Sequence, residues 1–226
     1  MSCFNLFNKE ITNQNTLHGT TTVGLVCSNG VVLATDTRAM LGNYFIAHRN
    51  VRKIAKIDKH IGLTIAGGVA DAQNVIDTLK YYANTYRLEH NVLIPVSAAA
   101  RLTSNVFVSA RLFPYYVSIL VGGVDESGPT LFDIDLFGTL TPGKYFSTGS
   151  GSPVAYGILE SEFQEGMKVE EVVPIGVQAI NAAIKRNAGT GDGFDVIAIT
   201  ESGFTEYSFE QKQQILAEVS ERSQLG

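Results

Sequence analysis

Twice along this chain of 226 residues, a run of short strands gives way to two consecutive helices, and nothing else constrains the fold as tightly. Helical periodicity runs from Val69 to about His90, with Val69, Val75, Leu79, Ala83 and Leu88 roughly on one stripe. Pro95 opens a second helix, Val96 to about Leu112, and Pro114 closes it. The later pair covers Val154 to Gln164 and about Val169 to Asn187, where Pro174 is tolerable only near the start. Gln211 to Arg222 reads as a terminal helix. Strands, two helices, strands, two helices and final strands predict an α+β chain of two sheets packed on each other. Helices on both outer faces make four layers, an αββα sandwich.

The strands carry their own signals. Thr21 to Cys27 reads as a strand, Ser28-Asn29-Gly30 as a turn and Val31 to Thr35 as the hairpin partner. After a loop through Gly42-Asn43, Lys53 to Ile57 and Ile61 to Ala66 form the next pair. Tyr115 to Val124 is almost continuously apolar, which predicts burial on both faces, and Thr130 to Leu136 returns beside it. Lys144 to Ser147, Phe194 to Thr200 and one last short strand complete the set.

Composition narrows the function. Charged residues are 17% of the chain against an ordinary ~25%, so much of the surface is expected to be covered by other subunits. A net charge of −5 and the lack of a long basic run argue against nucleic acid. Cys3 and Cys27 form no disulfide framework, which points to a reducing compartment. No apolar run reaches the ~18 residues of a membrane span. Residues 1–19 are polar and Asn-rich, without the basic start and apolar core of a secretory signal, and read as a short propeptide. No metal or cofactor is expected.

The chemistry centres on Gly19-Thr20-Thr21-Thr22-Val23-Gly24. If the bond after Gly19 is cut, Thr20 carries both a hydroxyl and a free amine. A threonine hydroxyl is a weak nucleophile and needs a base, which a chain-terminal threonine finds in its own amine. That amine has an ordinary pKa of about 7.7–8.0, suited to base catalysis near neutrality. Asp36 follows the hairpin strand whose partner begins at Thr20, and Lys53 starts the next strand. A lysine held near a carboxylate and a hydroxyl lowers the cost of forming the alkoxide. Gly67 ends a strand where an exposed N–H could hold an oxyanion, and the Ser150 loop offers hydroxyls and amides. Each also has an ordinary reading. Asp-Thr-Arg suits a turn with a surface ion pair, and a lone lysine is usually solvated. Gly-Ser-Gly-Ser-Pro suits a helix cap or a phosphate cradle.

Taken in order, Gly19 to Gly24, Ala34-Thr35-Asp36-Thr37-Arg38-Ala39, Thr64-Ile65-Ala66-Gly67 with Asp71-Ala72-Gln73, and Ser147-Thr148-Gly149-Ser150-Gly151-Ser152-Pro153 resemble a proteasome β-subunit of the archaeal type. The similarity runs from Gly19 to about Ser208 and implies the N-terminal-nucleophile hydrolase fold, with residues 1–19 as propeptide and 20–226 as the catalytic domain. It implies a cytoplasmic threonine endopeptidase acting on unfolded polypeptides. Its expected partners are β-subunits in a seven-membered ring, an α-subunit ring and a regulatory ATPase acting through that ring. By the same resemblance Thr20 is the nucleophile freed by cleavage after Gly19, with Asp36 and Lys53 beside it. Gly67 supplies the oxyanion amide and Ser150 the serine near the threonine amine. The loop before Lys53 is one residue longer than the pattern, around Tyr44. Ala39, Val51, Ala55, Ile65 and Val69 fall where the primary specificity pocket is lined, and their apolar character implies cleavage after hydrophobic residues.

Two positions depart from the pattern. After the last core helix an aspartate and then a serine are usual, and here stand Asn187 and Thr190. Loss of the carboxylate removes a charge-assisted hydrogen bond, so an aspartate at 187 is expected to raise turnover roughly 10- to 100-fold. The ordinary reading of Asn187 is a cap on the helix that ends there. Met40 stands where a small hydroxyl residue is common. These departures leave open a structural ring subunit with weak or no activity. A six-membered bacterial-type ring fits the Ser150 block and the long second half poorly.

Overall fold

The computed structural model describes residues 19–42 and 45–225. Most of the expected propeptide and the extra residue expected near Tyr44 lie outside the described residues. The elements are β1 Thr22–Cys27, β2 Gly30–Asp36, β3 Ala39–Leu41, β4 Phe45–His48, β5 Ile54–Asp58 and β6 Ile61–Gly67. Helices α1 Val69–His90 and α2 Val96–Ser109 follow, then β7 Val117–Asp125, β8 Gly128–Ile134, β9 Leu140–Pro142 and β10 Tyr145–Thr148. Helices α3 Ser152–Glu162 and α4 Val169–Arg186, strands β11 Phe194–Thr200 and β12 Gly203–Glu206, and helix α5 Phe209–Leu225 complete the chain.

One sheet has the order β10-β1-β2-β11-β12 and the other β5-β6-β7-β8-β9, both antiparallel throughout. Side chains alternate across each strand, and that alternation builds three layers of core. Val23 and Leu25 of β1, with Val32 and Ala34 of β2, face Leu159, Val172, Val177 and Ile180 of α3 and α4. Leu63, Ile119 and Val121 meet Val75, Leu79 and Phe107 of α1 and α2. Val31, Leu33, Leu120, Leu131, Ile197 and Ile199 fill the space between the sheets. The αββα sandwich follows from these three layers. Gly122 is needed at the sheet–sheet contact, because a Cβ there would lie 2.8 Å from Val31 Cγ1.

Asp133 is the polar exception. It lies two residues from Leu131, on the same face of β8, and its Oδ1 is buried without a hydrogen-bond partner. Burial, and then the nearby Asp135 charge, push its carboxyl up to about 6 from 3.8. The folded state therefore holds this proton more tightly than the unfolded chain, and stability falls as pH rises through about 4 to 6. Two pKa units would be ~3 kcal/mol, but solvent screening at this half-buried site reduces that to about 1 kcal/mol. Asp133→Asn is expected to add that amount above pH 6 and nothing below about pH 4. Urea unfolding of the isolated chain at both pH values checks it, and an equal gain at both would show that charge is not the cause.

Candidate active site

Pairing in the first sheet delivers the site. In the β1–β2 hairpin Thr22 lies opposite Thr35, and the Asp36 N–H donates to Thr21 O at 3.1 Å. The carboxylate at the end of β2 thus reaches back to the residues that precede β1. On the second sheet, Ile65 N–H donates to Lys53 O at 2.9 Å, which fixes the entry to β5. The Lys53 ammonium crosses between the sheets and donates to Asp36 Oδ1 at 2.8 Å, Thr20 Oγ1 at 3.0 Å and Gly19 O at 3.3 Å. Its side chain is 6% exposed and that of Asp36 is fully buried. Burial lowers the lysine pKa, and the Asp36 charge and hydrogen bond oppose the shift.

Every acceptor site on Asp36 is used. Thr21 N–H joins Lys53 at Oδ1, and the amides of Arg38 and Gly191 donate to Oδ2 at 3.2 and 3.1 Å. Gly191 is held in place by Arg38, whose Nε donates to Asp192 at 2.7 Å and whose other arm donates to Ala188 O at 2.8 Å. Sequence reading missed this Arg38–Asp192 link, because 154 residues separate its two ends.

Around Thr20 the backbone is crowded. Its hydroxyl donates to the carbonyl of Gly19 at 2.8 Å. A Cβ on Gly19 would collide with Gly189 O and Met40 Cγ, so Met40 packs against the bond that precedes Thr20. Gly149, at φ +91°, would collide with Thr20 O if it carried a side chain. The loop following β10 therefore wraps the threonine only because it is glycine-rich.

Ser150 and the loop after α4 meet at Asn187. Ser150 Oγ, Gly189 N–H and Thr190 Oγ1 each donate to Asn187 Oδ1 at 3.0 Å, and Asn187 Nδ2 donates to the Ser150 carbonyl at 3.0 Å. Asn187 is extended, φ −105°, not in the left-handed conformation in which asparagine commonly ends helices, and its side chain serves the loop. Thr190 Oγ1 also lies 2.7 Å from Thr21 Oγ1, a contact sequence reading did not foresee.

Gly67 ends β6, two residues beyond the bond to Lys53, at φ +144°, where a Cβ would collide with Tyr116 O. Of the expected pocket residues, Ala55 and Ile65 pack against the α1–α2 core, and Val51 N–H donates to Thr37 O at 2.9 Å beside Lys53. Ala39 opens β3, and Val69, first in α1, is 55% exposed. The polar cleft lined by Arg52, Asp195 and Glu206 shares no residue with this cluster. Among the described residues no group of His, Cys, Asp and Glu could hold a metal ion, and no helix is long and apolar enough to cross a membrane.

Comparison with known families decides the identity. Residues 16–199 match the family described as "Proteasome subunit". The chain belongs to the proteasome β-subunit family. It is 51% identical over 200 residues to proteasome subunit beta 2 of Nitrosopumilus maritimus, covering 88% of this chain and 95% of that one. Proteasome subunit beta 2 of Cenarchaeum symbiosum is 49% identical over 201 residues, 89% of this chain and 95% of its own. Proteasome subunit beta of Methanothermobacter thermautotrophicus is 46% identical over 203 residues, 89% and 96%. The archaeal character of these relatives agrees with the resemblance read from the sequence blocks. Membership makes this chain a proteasome core subunit from a family of threonine proteases.

Proposed function

We propose that the chain is a catalytic β-subunit, made as a precursor and converted by its own Thr20 into a threonine endopeptidase. One observation carries this reading. Lys53, itself buried, bonds at once to the Thr20 hydroxyl, the Asp36 carboxylate and the Gly19 carbonyl. In the precursor the hydroxyl adds to the Gly19 carbonyl carbon, the C–N bond breaks toward the Thr20 nitrogen, and water hydrolyses the resulting ester. Residues 1–19 leave as a carboxylic acid, and Thr20 gains a free amine. In the mature enzyme that amine takes the hydroxyl proton as Thr20 attacks a substrate carbonyl. The Lys53 ammonium stabilises the alkoxide, Asp36 holds the lysine, and the Gly67 N–H donates to the oxyanion. Ser150, Asn187 and Thr190 order the amine side of the threonine. Their unbroken hydrogen bonds support this reading over a purely structural ring member.

We further propose that it sits in a seven-membered β-ring stacked on an α-ring in the cytoplasm and receives unfolded polypeptide from a regulatory ATPase. Large exposed apolar side chains, including Leu88, Leu112, Phe113 and Phe137, support partners on several faces. Intact mass of the β-chain in particles assembled with an α-subunit tests the maturation step. A chain beginning at Thr20 is expected, and a full-length chain in assembled particles would refute it.

The pocket read from Ala39, Val51, Ala55, Ile65 and Val69 holds no charge. Burying a large apolar side chain there contributes about 1.5–3 kcal/mol, so peptides cleaved after Tyr or Leu are expected to show kcat/KM roughly 10- to 100-fold above those cleaved after Arg or Glu. A preference for Arg would show that another surface lines the pocket.

A further inference from the structure

Asn187 is held between two backbone groups of fixed polarity. Gly189 N–H can only donate and it meets Oδ1; the Ser150 carbonyl can only accept and it meets Nδ2, each at 3.0 Å. An amide satisfies both ends, whereas a carboxylate would set oxygen against oxygen at the Ser150 carbonyl. The same side chain also receives the Ser150 hydroxyl, so Ser150 is gripped at two points, by its Oγ and by its backbone.

This clasp fixes the direction of the hydroxyls. The Thr190 hydrogen points to Asn187 Oδ1, which makes Thr190 Oγ1 the acceptor for Thr21 at 2.7 Å. The Ser150 hydrogen is likewise committed to Oδ1, leaving the Ser150 oxygen free to accept. Gly149 of the same loop presses on Thr20 and Gly151 on the Thr21 hydroxyl, and Gly151 N–H donates to Thr20 O at 3.4 Å.

We infer that Asn187 is a positioning residue, a neutral two-ended clasp that holds the Ser150 loop against Thr20, and that this loop is built for an amide. The inference rests on the threonine-protease reading above. It reverses the sign that the sequence pattern suggests for Asn187→Asp. A carboxylate at 187 would repel the Ser150 carbonyl, and the grip would return only when the carboxyl takes a proton and can donate. The charges around it are Lys185 and Arg186 ending α4, Arg38 on the Ala188 carbonyl with its partner Asp192, and the Asp36–Lys53 pair reached through Gly191. The cations among them favour the ionised form near neutrality.

The experiment compares wild-type, Asn187→Asp and Asn187→Ala particles, assembled with an α-subunit and matched by intact mass for chains beginning at Thr20. Turnover of a hydrophobic fluorogenic peptide is followed from pH 8 to 5.5. At pH 8 both variants are expected to lose about tenfold in kcat with KM unchanged, about the effect of one hydrogen bond. The carboxylate stays ionised over this range, so both ratios to wild type should stay flat, with the Asp ratio at or below the Ala ratio. An Asp variant as fast as wild type, an Asp ratio above the Ala ratio, or a loss carried by KM with kcat unchanged would overturn the clasp. Wild-type particles that do not turn over peptide would overturn the protease reading on which it rests.

Discussion

Thr20→Ala particles are expected to contain full-length β-chain and to show no peptide turnover above background. The hydroxyl is the only group of Thr20 bonded to both Lys53 and the Gly19 carbonyl, so one substitution removes the attacking atom from both reactions. Loss of a nucleophile that works as a unit with its partners costs about 10⁶-fold. Thr20→Ser restores a hydroxyl on the same backbone and is expected to recover both processing and turnover, though with a less restrained χ1. A chain synthesised without residues 1–19 separates the two roles. In that background Thr20 should cut peptides without any processing step, and the alanine variant should not. Intact mass and turnover on the same particles check all of this, and processed alanine chains would show that another group cuts the junction.

Lys53→Met carries the second large effect. Methionine keeps most of the length of the side chain and removes the ammonium, leaving Asp36 as a buried charge with only backbone donors. Breaking a buried pair from one side costs about 3–5 kcal/mol, so chemical denaturation should reveal a marked loss of stability. Turnover should fall about 10³-fold or more, since a preorganised donor at a developing alkoxide is worth 10²–10³ and the lysine contacts both ends of the reacting pair. Stability and chemistry are separated by adding Asp36→Asn, which removes the stranded charge. The double variant is expected to regain stability and remain inactive. Recovery of activity would mean that Lys53 serves only to neutralise Asp36. Lys53→Arg is no substitute, because a planar guanidinium cannot meet three acceptors grouped around one nitrogen.

The sandwich was legible because its elements are long and periodic. The 22-residue α1 coincides with the expected Val69–His90, and β11 with Phe194–Thr200. Ends were less legible. Helix α2 stops at Ser109, not near Leu112, since Pro114 disfavours helical geometry in the residue before it and Leu112 and Phe113 have no core to reach. Pro153 was placed before α3 and lies in its first turn, where its missing N–H costs nothing. Pro174 falls in the second turn of α4, near the start of the helix as expected, and is buried. The β3–β4 hairpin carries no strand signal in the sequence, because three and four half-exposed residues show no usable alternation. Strand β9 was hidden by its proline, which an edge strand accommodates. At the site, the grouping of Thr20, Asp36 and Lys53 followed from a hairpin and a neighbouring strand. The Asn187 amide and the Arg38–Asp192 link depend on how two distant loops face each other, and no local pattern encodes that.

The contact between Gly19 and Gly189 has a consequence for how the mature protein must be understood. Gly189 lies in the loop that remains, whereas Gly19, on the proposed maturation, departs. Each would collide with the other's backbone if it bore a side chain. A subunit matured in this way carries an imprint of a residue it no longer contains, with only the 3.2 Å approach to Asn187 Oδ1 left to call for glycine at 189. On that maturation, inheritance at this position is tied to a leader that is discarded, so a graft of this loop onto another scaffold would bring that constraint with it.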